Sequence, residues 1–174
     1  MKRALRWAVS VAGVLLALSG AIPLLSAFAN EGPQVSLNIA NATPREVEET
    51  TQAAVKREYA NAWKAMTVAL RENRVDQLGA SFVGAAKTQI EQRVDQQKKT
   101  GLSERIVDRG HKLDVIFYSP EGSAMELRDT ATLEKQYLDG SRVVHSEHIT
   151  QPYIVVMTVA EDRWKVRVLQ ETKQ

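Results

Sequence analysis

Apolar residues recur along this chain with two different periods, and the change from one to the other divides it. Val47, Ala54, Val55, Tyr59, Ala62, Trp63, Met66, Ala69 and Leu70 fall at spacings of three and four, one face of a helix. Glu48, Glu49, Lys56, Arg57, Lys64 and Arg71 take the opposite face. Thr43 as cap, Pro44 at the first position and Glu46 completing a T-x-x-E box predict a start at 44, and Asn73 suits the end. Such a helix runs roughly 45 Å, long enough for its first turns to project beyond a small sheet. A second helical stretch, Val75 to Lys99, is divided by Gly79 and Gly84 into a short and a longer piece. Phe82, Val83, Ala86, Ile90 and Val94 form its apolar stripe, and Lys98, Lys99 and Gly101 mark its C-terminus.

From Ser103 the period becomes two. His111, Leu113, Val115 and Phe117 alternate with Lys112, Asp114, Ile116 and Tyr118, which predicts a strand. Ser119-Pro120-Glu121-Gly122 reads as a turn. Met125, Leu127, Ala131, Leu133 and Tyr137 mark a second strand, and Asp139-Gly140 is a hairpin signal. A third strand runs from Arg142 to Val159, where Pro152 demands an edge position or a bulge. Its run Tyr153-Ile154-Val155-Val156-Met157 predicts cover on both faces, by helices on one and a partner on the other. In the last strand Trp164, Val166 and Val168 alternate with Arg163, Lys165 and Arg167, a basic row that reads as a solvated face. Helices grouped before strands predict an α+β domain over 44–174, with two to three helices on a curved four-stranded antiparallel sheet. Residues 30–43 lack helical periodicity and carry Gly, Pro and Asn, so they read as a linker or an extended edge segment.

The N-terminus differs in kind. Lys2, Arg3 and Arg6 precede an uncharged apolar run from Trp7 to Ala29. This is the layout of an export signal, with Ala27-Phe28-Ala29 as an A-x-A cleavage site. The run also approaches the roughly 20 residues of a membrane span, so residues 1–29 are predicted as a signal peptide or an uncleaved signal anchor. Either way the basic end stays cytoplasmic and the body is exported, to the periplasmic or extracellular face.

Charge then changes meaning. The pI is near 8.9, yet three of the 23 Lys and Arg residues lie in 1–29, which holds no acidic residue. The remaining 20 face 21 Asp and Glu, a body charge of −1, which argues against a nucleic-acid partner. With no cysteine, the chain has no disulfide, thiol nucleophile or thiolate metal site.

Several local patterns resemble the nuclear transport factor 2-like superfamily. They are Tyr59-x-x-x-Trp63-x-x-Met66-x-x-x-Leu70, the following Asn73-Arg74-Val75-Asp76-Gln77-Leu78, and the closing Asp162-Arg163-Trp164-Lys165-Val166. The resemblance implies a cone-shaped α+β fold over residues 44–170. An exported copy behind one apolar segment is similar to periplasmic domains of bacterial secretion-channel subunits and of membrane proteins accompanying lipid-import systems, which are mostly scaffolds. Enzymatic relatives, the polyketide cyclases and ketosteroid isomerase, place acids or histidines inside the cone, and their catalytic pattern finds no clear match here.

Asp129 is the most informative polar residue. It is in phase with Met125, Leu127, Ala131 and Leu133 and so points inward, where a carboxyl in an apolar cavity can act as a general base. Tyr59, Trp63, Met66, Phe117 and Asp129 are the candidates to line a ligand pocket inside the cone. The plainer reading makes them core, with Asp129 at a bulge or at the cone's mouth. His145 and His148 sit three apart and face opposite ways on a strand, so with Glu147 they make no metal site. His111 is a lone histidine of structural type. No G-x-S-x-G elbow or Gly-rich phosphate loop occurs. The expectation is an exported, non-enzymatic interaction or scaffold domain, partnered by another protein or by a second copy through the sheet, with no cofactor or metal. Residues 7–29 would tether it to the membrane if uncleaved. The alternative is a small hydrophobic-ligand carrier or a cyclase- or isomerase-like enzyme using the cone.

Overall fold

The computed structural model of the protein describes residues 34–172. Among them the chain runs β1 (Val35–Asn38), α1 (Glu49–Glu72), a single 3-10 turn (Leu78–Ala80), α2 (Gly84–Thr100), β2 (Leu102–Tyr118), β3 (Ala124–Asp139), β4 (Arg142–Ala160) and β5 (Arg163–Glu171). The strands form one sheet in sequence order, β1 parallel to β2 and every other neighbour antiparallel. β1 and β5 do not pair, so the sheet curls without closing. α1 packs against β1, β2 and β5, and α2 against β2 and β5. This is the α+β arrangement read from the sequence, with the helices on one face of a curled sheet. The sheet has five strands rather than four. The addition is β1, from the segment read as linker or edge: Val35 and Leu37 pack on the core, while Ser36 Oγ donates to His111 O and Asn38 Nδ2 to Asp114 Oδ1.

α1 buries the stripe that its period sets out, Val55, Tyr59, Ala62, Trp63, Met66, Ala69 and Leu70. Asn73 ends it in the left-handed conformation (φ 53°), its N–H bonded to Ala69 O. The start lies at Glu49 instead of Pro44. Residues 43 and 44 are claimed by the sheet: Tyr118 N donates to Thr43 O at 2.9 Å, and Pro44 bridges Tyr118. The capping box therefore does not form, and the helix does not project. No helix among the described residues is long and apolar enough to cross a membrane; the export segment read at 1–29 lies outside the described residues.

Bulges decide which strand residues face inward. A register shift between Val115 and Phe117 keeps His111, Leu113 and Val115 inside but turns Phe117 out, 40% exposed, and brings Tyr118 in. Phe117 thus does not line the interior, because alternation fails across the shift. Lys165 departs from the solvated basic row. It is 2% exposed, and its Nζ donates to Gly79 O at 2.8 Å and Glu161 Oε2 at 2.7 Å. The cause is the segment before α2: Val166 N donates to Ser81 O and Val83 N to Val166 O, so residues 81–83 run along the β5 edge. Arg163 and Arg167 remain exposed. Pro152 sits where β5 pairing stops, its carbonyl accepting from Thr172 N, so the missing N–H faces the end of the ladder. In the run that follows, Tyr153, Val155 and Met157 are buried under the helices, while Ile154 and Val156 are half-buried on the outer face.

Gly101 closes α2 at φ 75°, and a Cβ there would meet nothing within 4 Å. Gly101→Ala therefore adds backbone strain and nothing else. It should lower stability by about 1 kcal/mol in urea unfolding, with an unchanged circular dichroism spectrum.

Candidate functional site

Asp129 points inward as its phase predicts and is 0% exposed. Its carboxyl is not alone. Tyr59 Oη donates to Oδ2 at 2.8 Å, and His111 Nδ1 meets the same oxygen at 2.8 Å. His111 Nε2 lies 2.8 Å from Asp108 Oδ2, and Asp108 Oδ1 accepts from Gly110 N. Side chains from α1, β2 and β3 are thereby joined in one buried chain of polar contacts.

A bulge builds this cluster. Residues three apart on a regular strand face opposite ways. The shift between Asp108 and Gly110 cancels that parity, so Asp108 and His111 share the inner face. Gly110 permits it: its φ is 144°, and a Cβ would sit 3.3 Å from Gln34 O, the carbonyl that accepts from His111 N at 2.8 Å.

Burial by itself disfavours a charged imidazole. Here the hydrogen bonds and charges of Asp108 and Asp129 outweigh it and raise the His111 pKa from 6.5 to about 9. His111 is an imidazolium at neutral pH, donating from both nitrogens. Burial, then the Asp129 charge, holds the Tyr59 phenol well above its ordinary range, so it stays a donor. Aromatic rings close the cluster. The Trp63 ring lies 4.4 Å from that of His111, Tyr59 stands edge-on to His111 at 5.3 Å, and Tyr153 crosses Trp63 at 5.6 Å. Asp129 Oδ1 is buried without a hydrogen-bond partner, while Trp63 Nε1 faces the Tyr59 hydroxyl without regular hydrogen-bond geometry.

Acid–base chemistry on a substrate requires access, and the cluster is sealed. The side chains of His111 and Asp129 are 0% exposed and only Asp108, at 11%, reaches towards solvent. A depression of about 210 Å³ between α2, the middle of β4 and the end of β5 includes Ile90, Arg93, Tyr153 and Glu171 in its lining, and Tyr153 lies between it and Trp63. Tyr59, Trp63 and Met66 are packed in the core, at 0%, 1% and 3% exposure. The structure thus brings Tyr59, Trp63 and Asp129 together, leaves Met66 elsewhere on the α1 core stripe, and turns Phe117 to the opposite face. Among the described residues no group of three His, Asp or Glu side chains is placed to hold a metal, and both His111 nitrogens are taken by carboxylates. His145 and His148 lie exposed on β4. Sequence reasoning missed the part played by His111 and Asp108. The available signal was an isolated glycine, Gly110, inside a strand pattern, which marks a bulge.

No family model and no curated protein matches the chain. Solved structures match it in fold. The intermembrane space region of the chloroplast protein ARC6 aligns with 15% identity and a TM-score of 0.62, over 75% of this chain and all of that one. At this identity the likeness is one of architecture, an α+β domain with helices on one face of a curled sheet. Looser matches are Aln2 from a Streptomyces species (13% identity, 71% of this chain, 92% of that chain, TM-score 0.46) and ActVI-ORFA from Streptomyces coelicolor (12%, 69%, 95%, 0.46).

The folded-state pKa of His111 lies above its ordinary value, so folding takes up a proton. The stability this contributes is fully present below pH 6.5 and is lost as pH rises through about 9. The loss should be on the order of 3 kcal/mol across that window in urea unfolding, and His111→Gln should flatten the dependence. Asp129→Asn leaves the imidazolium short of one counter-charge and should cost about 3–5 kcal/mol, read as a lowered urea midpoint.

Proposed function

We propose that this chain is an exported scaffold domain that acts by protein contact at the outer face of the cytoplasmic membrane, rather than an enzyme. The filled interior carries the reading: the one acid suited to catalysis is neutralised by His111 and sealed behind Trp63 and Tyr153. Available apolar surface lies instead on the outer face of the sheet. Phe117, Glu126, Val156 and Val168 form a row across four strands, with Ile154 beside it. A protein partner docks on that row. The basic-then-apolar pattern of residues 1–29 supports export, with a membrane tether if the segment is uncleaved. The ARC6 domain of similar fold is itself an intermembrane-space region, which agrees with a domain presented across a membrane. Nucleic acid, metal and cofactor have no part in this reading.

A second reading is kept by one observation. Asp129 Oδ1, an acceptor, is buried and unpartnered. A small hydrophobic ligand with a polar end, entering as Tyr153 swings aside, would find it, and Asp129 and His111 would then be placed for cyclase- or isomerase-like proton transfer.

Native mass spectrometry of the protein isolated from membranes decides between them. The scaffold reading expects a polypeptide free of any small molecule, beginning at Met1 or Asn30, and a bound partner protein that Phe117→Asp releases without lowering the melting temperature. A co-purifying small molecule, lost in Trp63→Ala, would replace this reading with the second.

A further inference from the structure

We propose that β4 pairs edge to edge with β4 of a second copy of this chain, antiparallel about a two-fold axis through Ser146. β4 is unequally partnered. β3 follows it from Thr158 back to Arg142, whereas β5 pairs only Tyr153–Ala160. Among the described residues no strand lies beside Arg142–Ile149 on the β5 side. Residues 142–146 are exposed, with Val143 and Val144 at 42% and 48%.

Two other margins of the sheet are guarded. Residues 81–83 run along β5. The start of β2 carries Glu104, Arg105, Asp108 and Arg109 and ends in the bulge at Gly110. Charges and bulges of this kind keep a foreign strand away. From Val144 to His148, β4 has no Lys and no Pro, and its register with β3 is unbroken from His145 onward.

Strand parity selects the register. In an antiparallel ladder the N–H and C=O of one residue point to the same side, and successive residues alternate. Pro152 O accepts from Thr172 N on the β5 side. His148 and Ser146 therefore aim their backbone groups at the open side, while His145, Glu147 and Ile149 aim theirs at β3. A two-fold pair sets open-facing residues against open-facing residues, so the axis passes through a residue and not between two. An axis at Glu147 opposes two carboxylates. Axes at His145 or His148 oppose two imidazoles. An axis at Ser146 sets each His145 against the partner's Glu147. His145 and Glu147 stand opposite Tyr137 and Lys135 of β3 and so share the inner face. Directly opposed residues of this non-hydrogen-bonded type lie about 4.5 Å apart at Cα, close enough for a charged or hydrogen-bonded side-chain pair.

This contact goes beyond the scaffold reading and holds equally for a ligand carrier. The chain has no cysteine, so an introduced thiol reports without background. Ser146→Cys in the full chain, in detergent, puts two thiols on the axis at about 5.5 Å between Cα atoms, within disulfide reach. Mild oxidation should link the Ser146→Cys chains into a dimer and leave Phe117→Cys, on the outer face, unlinked. Ser146→Pro removes an N–H that faces away from β3. It should weaken the dimer about tenfold or more by sedimentation while keeping the wild-type melting curve. A wild-type chain that sediments as a monomer at high micromolar concentration would overturn the proposal. So would linkage through Phe117→Cys with none through Ser146→Cys, or a Ser146→Pro protein that dimerises as the wild type does. None of these results bears on whether a small molecule co-purifies, so the two readings of function stand or fall separately.

Discussion

The His111 imidazolium, held between Asp108 and Asp129, is the contact on which the interior depends. Two carboxyls and one imidazole from β2 and β3 meet there, and Tyr59 of α1 donates to the shared oxygen. Desolvating such groups costs several kcal/mol per ion, so the arrangement persists only with every partner in place. A one-residue slip of β2 against β3 would turn either His111 or Asp129 to the outer face and strand the other charge in the core. The helix is tied to the same register, because Tyr59 and Trp63, one turn apart, both rest on His111.

Bulges supply the geometry that this contact requires. The shift at Asp108/Gly110 puts two residues three apart on one face, and the shift at Val115/Phe117 restores the opposite phase before the turn. A third shift, between Val156 and Met157, lies where residues 81–83 run along β5 and wall in Lys165. Bulges strengthen local twist, and long strands interrupted in this way curl around two helices without closing on themselves.

That curl has a consequence for function. A cone-like sheet often leaves a concavity, but here Trp63, Tyr153 and Tyr59 occupy it, and the polar cluster lies beneath them. In this chain a few aromatic side chains therefore turn the concavity into core. Fold likeness to the ARC6 intermembrane-space region concerns the frame and leaves its contents to the residues of this chain.

Local chemistry was enough for much of the framework. The α1 stripe, the left-handed end at Asn73, the glycine end of α2, the turn after Tyr118, the Asp139-Gly140 hairpin and the inward phase of Asp129 all follow from residues within a few positions of one another. Tertiary structure alone decided the rest. β1 exists because residues 35–38 find β2 some 75 positions away, and the same sheet takes Thr43 and Pro44 from the helix they would otherwise cap. Phe117 and Lys165 lie where simple alternation does not put them, since a bulge or a covering segment forms only when strands and loops from elsewhere in the chain come into register. The partner of Asp129 was equally hidden. Tyr59 is 70 residues distant and His111 is 18, and a periodic pattern shows which way a side chain points but not what it will meet there.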